Sequence, residues 1–390
     1  MKNNFKKINV FFIIIYVSLL SFFIFPIFSE DVQVEGYEYR LDIPENWELI
    51  DAENLSFISF TDPTHSIVLQ IIVYPGEKYF KASDIADSIK SQLKAKGEGD
   101  NFVFNMKNAY IADLVFKTNK YTARGYFIFI NGQKYDYVVF SYTSQELYEG
   151  YKAFILSALD SFSLDKEGLF YPGPVSQYIY PFPGPEQKAV EITFPDKKLT
   201  INLDKNEMEA SQLVIEREAI VLATYETNRK KAWERFYRMI YRDTYHRLDN
   251  LFNVLNNAFE KKKLNKKDKI LYILKWLQDF SYARTGTLSD IHSPLTASIN
   301  HSGDCDSRAL IFLILLHNLN LDSILLVSLK YKHSAVGVNS SILNRKGAII
   351  SFEGKKYLYA ELTSKVEIGL IASEYADPSG WQSIRLGLLD

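Results

Sequence analysis

The chain has 390 residues, of which 47% are hydrophobic and 15% aromatic, and its 45 basic and 47 acidic residues leave a formal net charge of −2. The length predicts two domains, and the apolar content excludes an intrinsically disordered chain. The near balance of charge excludes the sequence-wide basic field that attracts nucleic acid, so we expect no nucleic-acid partner.

Residues 1–29 carry the pattern of an export segment. Three lysines among the first seven residues precede an almost wholly apolar run from Ile8 to Phe25, and Ser29 lies where a signal peptidase could cut. The run is long for a signal peptide, so an uncleaved anchor formed by residues 8–28 is the alternative. Both interpretations predict an extracytoplasmic protein, periplasmic or secreted, that meets a membrane only through this segment if it is not removed.

Residues 30–164 predict an antiparallel sheet with helices packed against it. Strand patterns fill residues 36–75 and are stopped repeatedly by proline. Apolar residues at helical spacing predict a helix over residues 85–93. Three more strands follow, with Asn131-Gly132 as the expected hairpin turn, and a closing helix is predicted near residues 146–159.

The phrase YRLDIPENWELI, the succession of strands and the helix before Ser161-Phe162 resemble the PsbP-like family, named for an extrinsic photosystem subunit. The resemblance spans about residues 36–164 and implies a PsbP-like α+β fold. Such modules generally lack catalytic machinery, and this segment shows neither paired carboxylates nor metal-ligand spacing. The resemblance therefore implies a binding or positioning role.

Residues 165–190 contain five prolines, and this density predicts an extended, semi-rigid spacer without regular helix. We place the domain boundary there and expect residues 191–390 to form the second domain. Two strand-like segments, KLTINL and AIVLATY, come next. A long helical stretch then has Trp233 and Phe236 on one side, which predicts core packing.

The single cysteine, Cys305, lies in the segment HSGDCDSRALIFLILLHN. A lone thiol in an exported chain predicts either a reactivity that is used or deep burial. The nearly all-apolar run from Ser307 to Leu319 predicts a buried helix, with Asp304 among its candidate N-caps. Cys305 then falls in the first turn, where N–H groups and the helix dipole favour a thiolate, although Asp304 and Asp306 oppose it.

A nucleophilic thiol needs a base, and the base needs an acceptor that orients it. HSAVGV, which begins at His333, and KYLYAEL, which ends near Glu361, predict two short strands. A turn at Glu353-Gly354 would fold the second strand back into the same sheet. A helix N-terminus packed against that sheet could bring Cys305, His333 and Glu361 together.

The other histidines offer weaker possibilities. His301 precedes the helix and is a rival base, whereas His317 lies within the apolar helix and is expected to be a hydrogen-bonded core residue. The remaining histidines have no metal-ligand spacing, and the motifs HExxH, CxxC, GxGxxG and the P-loop are absent from the sequence. We therefore predict no metal and no cofactor.

Four segments in order resemble the transglutaminase-like superfamily, which shares its fold core with papain-like cysteine proteases: ILKWLQDFSY, SPLTASINHSGDCDSRA, KHSAVGV and YLYAELT. The match is best over about residues 265–365 and implies a helix-plus-antiparallel-sheet domain. It implies Cys305 as the nucleophile, His333 as the base and Glu361, where many members have Asp, as the residue that orients the base. The implied activity is acyl transfer at peptide or isopeptide bonds through a thioester.

Several points stay open at this stage. Water as the acceptor would give a cysteine peptidase, a hydrolase, and an amine would give crosslinking; the expected substrates are proteins or peptides, cell-wall peptides among them. The oxyanion donor is open between the backbone N–H of Cys305 and the side chains of Trp276, Gln278 and Tyr282. One alternative is a non-catalytic envelope protein that uses a degenerate transglutaminase-like domain as a binding scaffold. Another is an envelope structural protein whose thiol forms an intermolecular disulfide.

Overall fold

The computed structural model describes most of the chain, namely residues 31–34, 36–52, 55–76, 78–225, 229–343 and 345–387. The predicted export segment lies outside the described residues. Residue contacts divide the chain into two compact units, Met1–Leu164 and Asp165–Asp390. Among the described residues, none of the helices combines the length and the apolar character needed to cross a lipid bilayer.

The first unit is an antiparallel sheet with helices packed on it. Its elements in chain order are β1 (Asp31–Val34), β2 (Tyr39–Asp42), β3 (Glu48–Asp51), β4 (Phe57–Thr61), β5 (Val68–Pro75), α1 (Ala82–Leu93), β6 (Lys96–Phe104), β7 (Lys107–Lys117), β8 (Thr122–Ile130), β9 (Tyr135–Ser144) and α2 (Tyr148–Asp160). Within the described residues, β1 and β2 pair with each other and seven strands form one sheet in the order β3-β4-β5-β9-β8-β7-β6. The α+β prediction is confirmed.

Two local predictions in this unit are also confirmed. Helix α1 buries Ile85 and Ile89, which follow one another at helical spacing, in a core cluster with residues of β7, β8 and β9. The turn between β8 and β9 contains Asn131 and Gly132. The Asn131 side chain and the Gly132 backbone N–H both donate to Asp136 Oδ1, at 2.9 and 3.1 Å, which fixes this turn.

The second unit contains more helix. Its elements are α3 (Pro174–Ile179), β10 (Lys188–Phe194), β11 (Lys197–Leu203), α4 (Asn206–Leu222), α5 (Lys230–Thr244), α6 (Asp249–Lys261), α7 (Lys266–Gln278), α8 (Pro294–Asn300), α9 (Cys305–Asn318), β12 (Ser323–Ser328), β13 (His333–Asn339), α10 (Ser340–Leu343), β14 (Ile349–Phe352), β15 (Lys355–Ala360) and β16 (Gln382–Ile384). β10 and β11 form a hairpin. In the described part of this unit, five strands form a second antiparallel sheet in the order β14-β15-β13-β12-β16.

This five-stranded sheet holds α9 in place. Residues Leu310 to Leu316 of α9 are completely buried and share one core cluster with Val336 and Val338 of β13. Strand alternation directs Ala335 to the other face, where it belongs to a second cluster with Tyr359 and Trp381. Because α9 is packed along its length, its N-terminus is fixed relative to the ends of β13 and β15.

The predicted proline-rich spacer differs from the structure. Residues 165–187 belong to the second compact unit and contain a 3₁₀ helix, Glu167–Phe170, as well as α3. Pro174 occupies the start of α3, where a backbone N–H has no intrahelical partner, so this proline begins a helix instead of preventing one. The Gln177 side chain then hydrogen-bonds both the N–H and the carbonyl of Phe182 and holds the following prolines against the helix.

The segment AIVLATY, predicted as a strand, forms the end of α4. Ala210, Val214, Ile215, Glu218 and Ala219 are buried at spacings of three and four residues, which continues a helical face through the segment. Packing of this face outweighs the β propensity of the β-branched residues. The prediction was wrong because a short apolar run does not distinguish a strand from the last turns of a buried helix.

The free energy of unfolding should depend on an ionised Asp322 at the start of β12. Burial raises the pKa of Asp322, but hydrogen bonds from Asn339, Lys355, Arg385 and Tyr357 outweigh it and lower this pKa from 3.8 to about 2. Because the pKa is lower in the folded than in the unfolded state, the ionised carboxylate stabilises the fold. This contribution is fully present above about pH 4 and is lost as the pH falls through about 2. The free energy of unfolding measured in urea should therefore be lowered more by Asp322→Asn at pH 6 than at pH 2.5. An equal gap at both pH values would contradict this prediction.

Candidate active site

Cys305 is the first residue of α9, and the loop before it is held by a capped helix start. Asp304 is the N-cap, and its Oδ1 accepts hydrogen bonds from the Ser307 N–H at 2.9 Å and the Ser307 hydroxyl at 2.7 Å. Gly303 is required by close approach, since a Cβ there would lie 2.9 Å from that of Ser307 and 3.1 Å from that of Ala297. The predicted cap and the predicted position of Cys305 in the first turn are confirmed.

The thiol environment differs from the predicted one. Cys305 is 4% exposed, and its Sγ donates to Asp306 Oδ2 at 3.7 Å. Burial raises the pKa of the Cys305 thiol well above its ordinary value, and the charges of Asp306 and Asp304 raise it further. The backbone N–H groups of Ser334 and Asp306 act in the opposite direction but do not outweigh burial. Burial and the two carboxylates therefore outweigh the effect of the helix N-terminus, which by itself favours the thiolate.

His333 and Glu361 are paired as predicted. His333 Nε2 lies 2.8 Å from Glu361 Oε2, and Glu361 Oε1 accepts hydrogen bonds from the N–H and the hydroxyl of Thr363, at 2.7 and 2.6 Å. Burial raises the pKa of Glu361, but the contacts with His333 and Thr363 outweigh it, so the pKa is lowered. The carboxylate thus stays charged and fixes the imidazole through Nε2. The Nδ1 atom has no hydrogen-bond partner among the described residues.

Cys305 lies near this pair, opposite Ser334, the residue that follows His333. The Ser334 N–H faces the Cys305 sulfur, and the Ser334 hydroxyl donates to Asp306 Oδ1 at 2.5 Å. The dipeptide Cys305-Asp306 therefore faces the dipeptide His333-Ser334. Within the described part of the chain, the thiol and the imidazole share no hydrogen bond. The structure joins His333 to Glu361 directly and places Cys305 next to them through Ser334.

Two of the side chains considered as oxyanion donors are already used within the fold. The Trp276 indole N–H donates to the Thr193 carbonyl at 2.8 Å. Gln278 Nε2 donates to the carbonyls of Glu361 and Val366 at 2.8 and 2.9 Å, so both of its hydrogens are taken. Their roles are structural, since each fastens α7 to a neighbouring segment.

Tyr282 remains open as a donor. It is 55% exposed, and its hydroxyl accepts a hydrogen bond from Arg284 at 3.2 Å, which leaves the hydroxyl hydrogen free to donate. Burial raises the pKa of Tyr282, the hydrogen bond from Arg284 lowers it, and the negative charge that Cys305 can carry raises it; the net shift is upward. A phenol with a raised pKa remains a donor at neutral pH.

His301 and His317, the weaker candidates from the sequence, both make contacts within the fold. His301 ends α8 in a left-handed conformation, with its ring centroid 4.5 Å from that of Phe280. His317 Nδ1 lies 2.7 Å from the Tyr241 hydroxyl, and its Nε2 lies 3.1 Å from the Ser323 carbonyl. The prediction of His317 as a hydrogen-bonded core residue is confirmed.

An aromatic wall around His333 was not predicted. The imidazole centroid lies 5.6 Å from the ring of Tyr375 and 6.1 Å from that of Trp381, and the Tyr331 and Tyr359 rings also contact Trp381. The His333 side chain is only 12% exposed as a result. No sequence signal placed residues 375 and 381 here, because they follow the motif segments and reach the site through tertiary packing.

Arg308 is a second residue that the sequence analysis overlooked. It is buried in α9, and its guanidinium donates to the carbonyls of Gly303, Leu277, Leu362 and Phe280 at 3.0 to 3.3 Å. It thereby joins the loop before Cys305, the end of α7 and the residue after Glu361. The available signal was one basic residue directly before the apolar run Ala309–Leu316, since a charged residue that is buried must be paired.

Three potential metal-ligand atoms lie close together, on Asp304, Cys305 and Asp306, within 4.8 Å of one another. Protein donors already bind Oδ1 of Asp304, from Ser307, and both carboxylate oxygens of Asp306, from Tyr237 and Ser334 on Oδ1 and from Cys305 on Oδ2. We assign no metal site to this cluster.

Among known proteins, the chain has structural neighbours of low sequence identity. No family model and no curated protein matches the sequence. The solution structure of cyanobacterial PsbP (CyanoP) from Synechocystis sp. PCC 6803 is similar over 34% of this chain and 91% of its own, at 10% identity and a TM-score of 0.30.

Two further structures show similarly low values. A Pseudomonas aeruginosa protein of unknown function, described as a putative regulator, covers 32% of this chain and 89% of its own, at 12% identity and a TM-score of 0.20. A Bacteroides thetaiotaomicron protein covers 82% of this chain and 85% of its own, at 8% identity and a TM-score of 0.24. A PsbP-like structural neighbour therefore covers part of this chain at low identity, and at these values the likenesses carry no information on activity.

Arg308→Lys should destabilise the second unit. A lysine ammonium cannot span the four carbonyls that the guanidinium joins, and each buried carbonyl left without a donor costs about 1–3 kcal/mol. We expect the free energy of unfolding in denaturant to fall by about 2–4 kcal/mol. The matched control is Arg345→Lys, whose exposed pair with Glu367 should contribute less than about 1 kcal/mol. Equal losses for the two variants would contradict the role of Arg308.

Proposed function

We propose that this protein is an exported transglutaminase-like cysteine enzyme that performs acyl transfer or hydrolysis at peptide or isopeptide amide bonds. In this proposal Cys305 is the nucleophile, His333 the general base and acid, and Glu361 the residue that orients the imidazole. Proteins or peptides are the substrates, cell-wall peptides included. The place of action is extracytoplasmic, which rests on the predicted export segment.

One observation carries the proposal. The buried His333–Glu361 pair, with Nε2 and Oε2 2.8 Å apart, leaves Nδ1 without a partner in the described residues, and Cys305, at a helix N-terminus, faces Ser334, the residue after His333. A base that is oriented by a carboxylate and has one open nitrogen beside a thiol is the arrangement that nucleophilic catalysis requires. A structural histidine of the same burial would use both nitrogens, as His317 does.

The reaction follows from these positions. The Cys305 sulfur attacks the amide carbonyl while its proton passes to His333 Nδ1, and Glu361 stabilises the resulting imidazolium. The carbon–nitrogen bond then breaks, and His333 returns the proton to the departing amine. A thioester remains on Cys305. Water or a second amine, deprotonated by His333, attacks this thioester and restores the thiol.

The negative charge that develops on the carbonyl oxygen of the tetrahedral intermediate needs hydrogen-bond donors. The backbone N–H of Cys305 at the helix N-terminus and the hydroxyl of Tyr282 are the groups that the proposal assigns to it. Trp276 and Gln278 are removed from this role because their N–H groups serve backbone carbonyls. Removal of one such donor typically costs about 100- to 1000-fold in kcat.

A non-catalytic binding scaffold is the second candidate, and one observation favours it. The thiol is hydrogen-bonded to Asp306 instead of His333, and its raised pKa keeps it protonated at neutral pH. A degenerate site could have this property. The same geometry is compatible with catalysis if the proton leaves only when a substrate carbonyl is in place.

The test is a substrate screen with matched variants of the full chain. Casein and peptidoglycan peptides, with and without a fluorescent primary amine, should show new amino termini or amine incorporation with wild type and not with Cys305→Ala. His333→Ala should lower the rate by about 100- to 10,000-fold, the range for loss of a general acid–base group. His301→Ala is the control and should retain the wild-type rate. Activity that survives Cys305→Ala would exclude the mechanism.

A further inference from the structure

The residue after the nucleophile is the least explained part of the site. Asp306 lies in the first turn of α9, and three donors from three elements meet its carboxylate. The Tyr237 hydroxyl of α5 donates to Oδ1 at 2.6 Å, the Ser334 hydroxyl of β13 donates to Oδ1 at 2.5 Å, and the Cys305 thiol donates to Oδ2 at 3.7 Å. A surface carboxylate at a helix start would need none of these partners.

The contacts of Asp306 have a consequence for the nucleophile. Its Oδ1 binds α9 to β13 one residue after His333, which fixes the distance between the strand of the base and the helix of the thiol. Its Oδ2 accepts the S–H, which directs the thiol proton toward a carboxylate. A negative charge beside sulfur disfavours a second negative charge on it.

We propose that Asp306 is a positioning residue that ties the Cys305 helix to the His333 strand and holds the resting nucleophile as a neutral thiol. This inference rests on the proposed function and adds to it how the site is kept unreactive before a substrate arrives. A neutral thiol reacts slowly with oxidants and electrophiles. A lone thiol in an extracytoplasmic protein would benefit from this protection.

Other charged and titratable groups also face the thiol. Those that interact with Cys305 lie on α5, on the loop after α7, at the start of α9 and on β15, and they are Tyr237, Tyr282, Asp304, Arg308 and Tyr359. Arg284 acts on Asp304, and His333 and Glu361 pair with each other near the thiol.

These groups do not replace Asp306. Burial raises the pKa values of the tyrosines Tyr237 and Tyr359, so both stay neutral. The Arg308 guanidinium donates its hydrogen bonds to backbone carbonyls, and exposed Arg284 is paired with Asp290. Asp304 is the N-cap of α9 and accepts the N–H and the hydroxyl of Ser307, and in the described residues the hydrogen bond of the thiol goes to Asp306 and not to Asp304.

The test is the rate at which iodoacetamide alkylates Cys305 in the full chain between pH 5 and pH 10. Alkylation follows the thiolate and needs no catalytic turnover, so it is independent of the substrate. Asp306→Asn should move the inflection to lower pH by about one unit and speed alkylation at pH 7 about three- to tenfold. A residue with only a structural role would not move this profile. Asp322→Asn, the same change at the start of β12, should leave it unchanged.

A second variant should not lower the pH of the inflection. Ser334→Ala keeps the Asp306 charge and removes one of its donors, so the inflection should stay at the same pH or rise. The wild-type inflection should also lie above that of the same protein unfolded in urea, which covers the case in which Asp306→Asn fails to fold.

Three results would overturn the inference. They are an Asp306→Asn profile that superimposes on wild type, a Ser334→Ala inflection at lower pH, and a native wild-type inflection below the unfolded one. Each of them leaves the proposed function standing if peptide turnover still depends on Cys305. Loss of that dependence would remove the proposed function instead.

Discussion

The second unit depends on one buried cation. The Arg308 guanidinium joins four carbonyls from the loop before Cys305, the end of α7 and the segment after Glu361. These three segments carry Cys305, the side chains that fasten α7, and Glu361. Since the residues that follow it, Ala309 to Leu316, are apolar and completely buried, the arginine is the polar centre around which the loops of the site are ordered. The geometry of His333 and Glu361 follows from that order, because Glu361 lies one residue before a carbonyl that Arg308 holds.

The site combines two opposing electrostatic arrangements. Glu361 stays charged and prepares His333 to receive a proton, whereas burial and Asp306 keep that proton on Cys305. A helix N-terminus favours a thiolate by a limited amount, and here it competes with the loss of water around a sulfur that is almost completely buried. The proposed nucleophile is thus held in position by the fold but is protonated. A substrate that contributes its own polar groups would change the balance.

Local patterns in the sequence predicted a large part of this structure. The helix start at Cys305, the strands at His333 and before Glu361, the Asn131-Gly132 turn and the α+β class follow from capping, alternation and turn residues. AIVLATY failed because a short apolar run reports burial and not the choice between helix and strand. The aromatic wall and most contacts of Arg308 and Asp306 could not be predicted, since tertiary packing joins residues that are, for example, 28, 42 and 69 positions apart, distances over which local periodicity carries no information.

The helical start of the second unit has a practical consequence for dividing the chain. The Tyr171 carbonyl accepts a hydrogen bond from Arg242, and the Phe170 ring lies 4.7 Å from that of Tyr245, so this segment covers part of α5. A fragment that begins at residue 191 would expose that apolar surface to water and invite aggregation. A fragment that begins at Asp165 would keep the cover. A fragment meant to contain the second unit alone should therefore begin before the proline-rich segment and not after it.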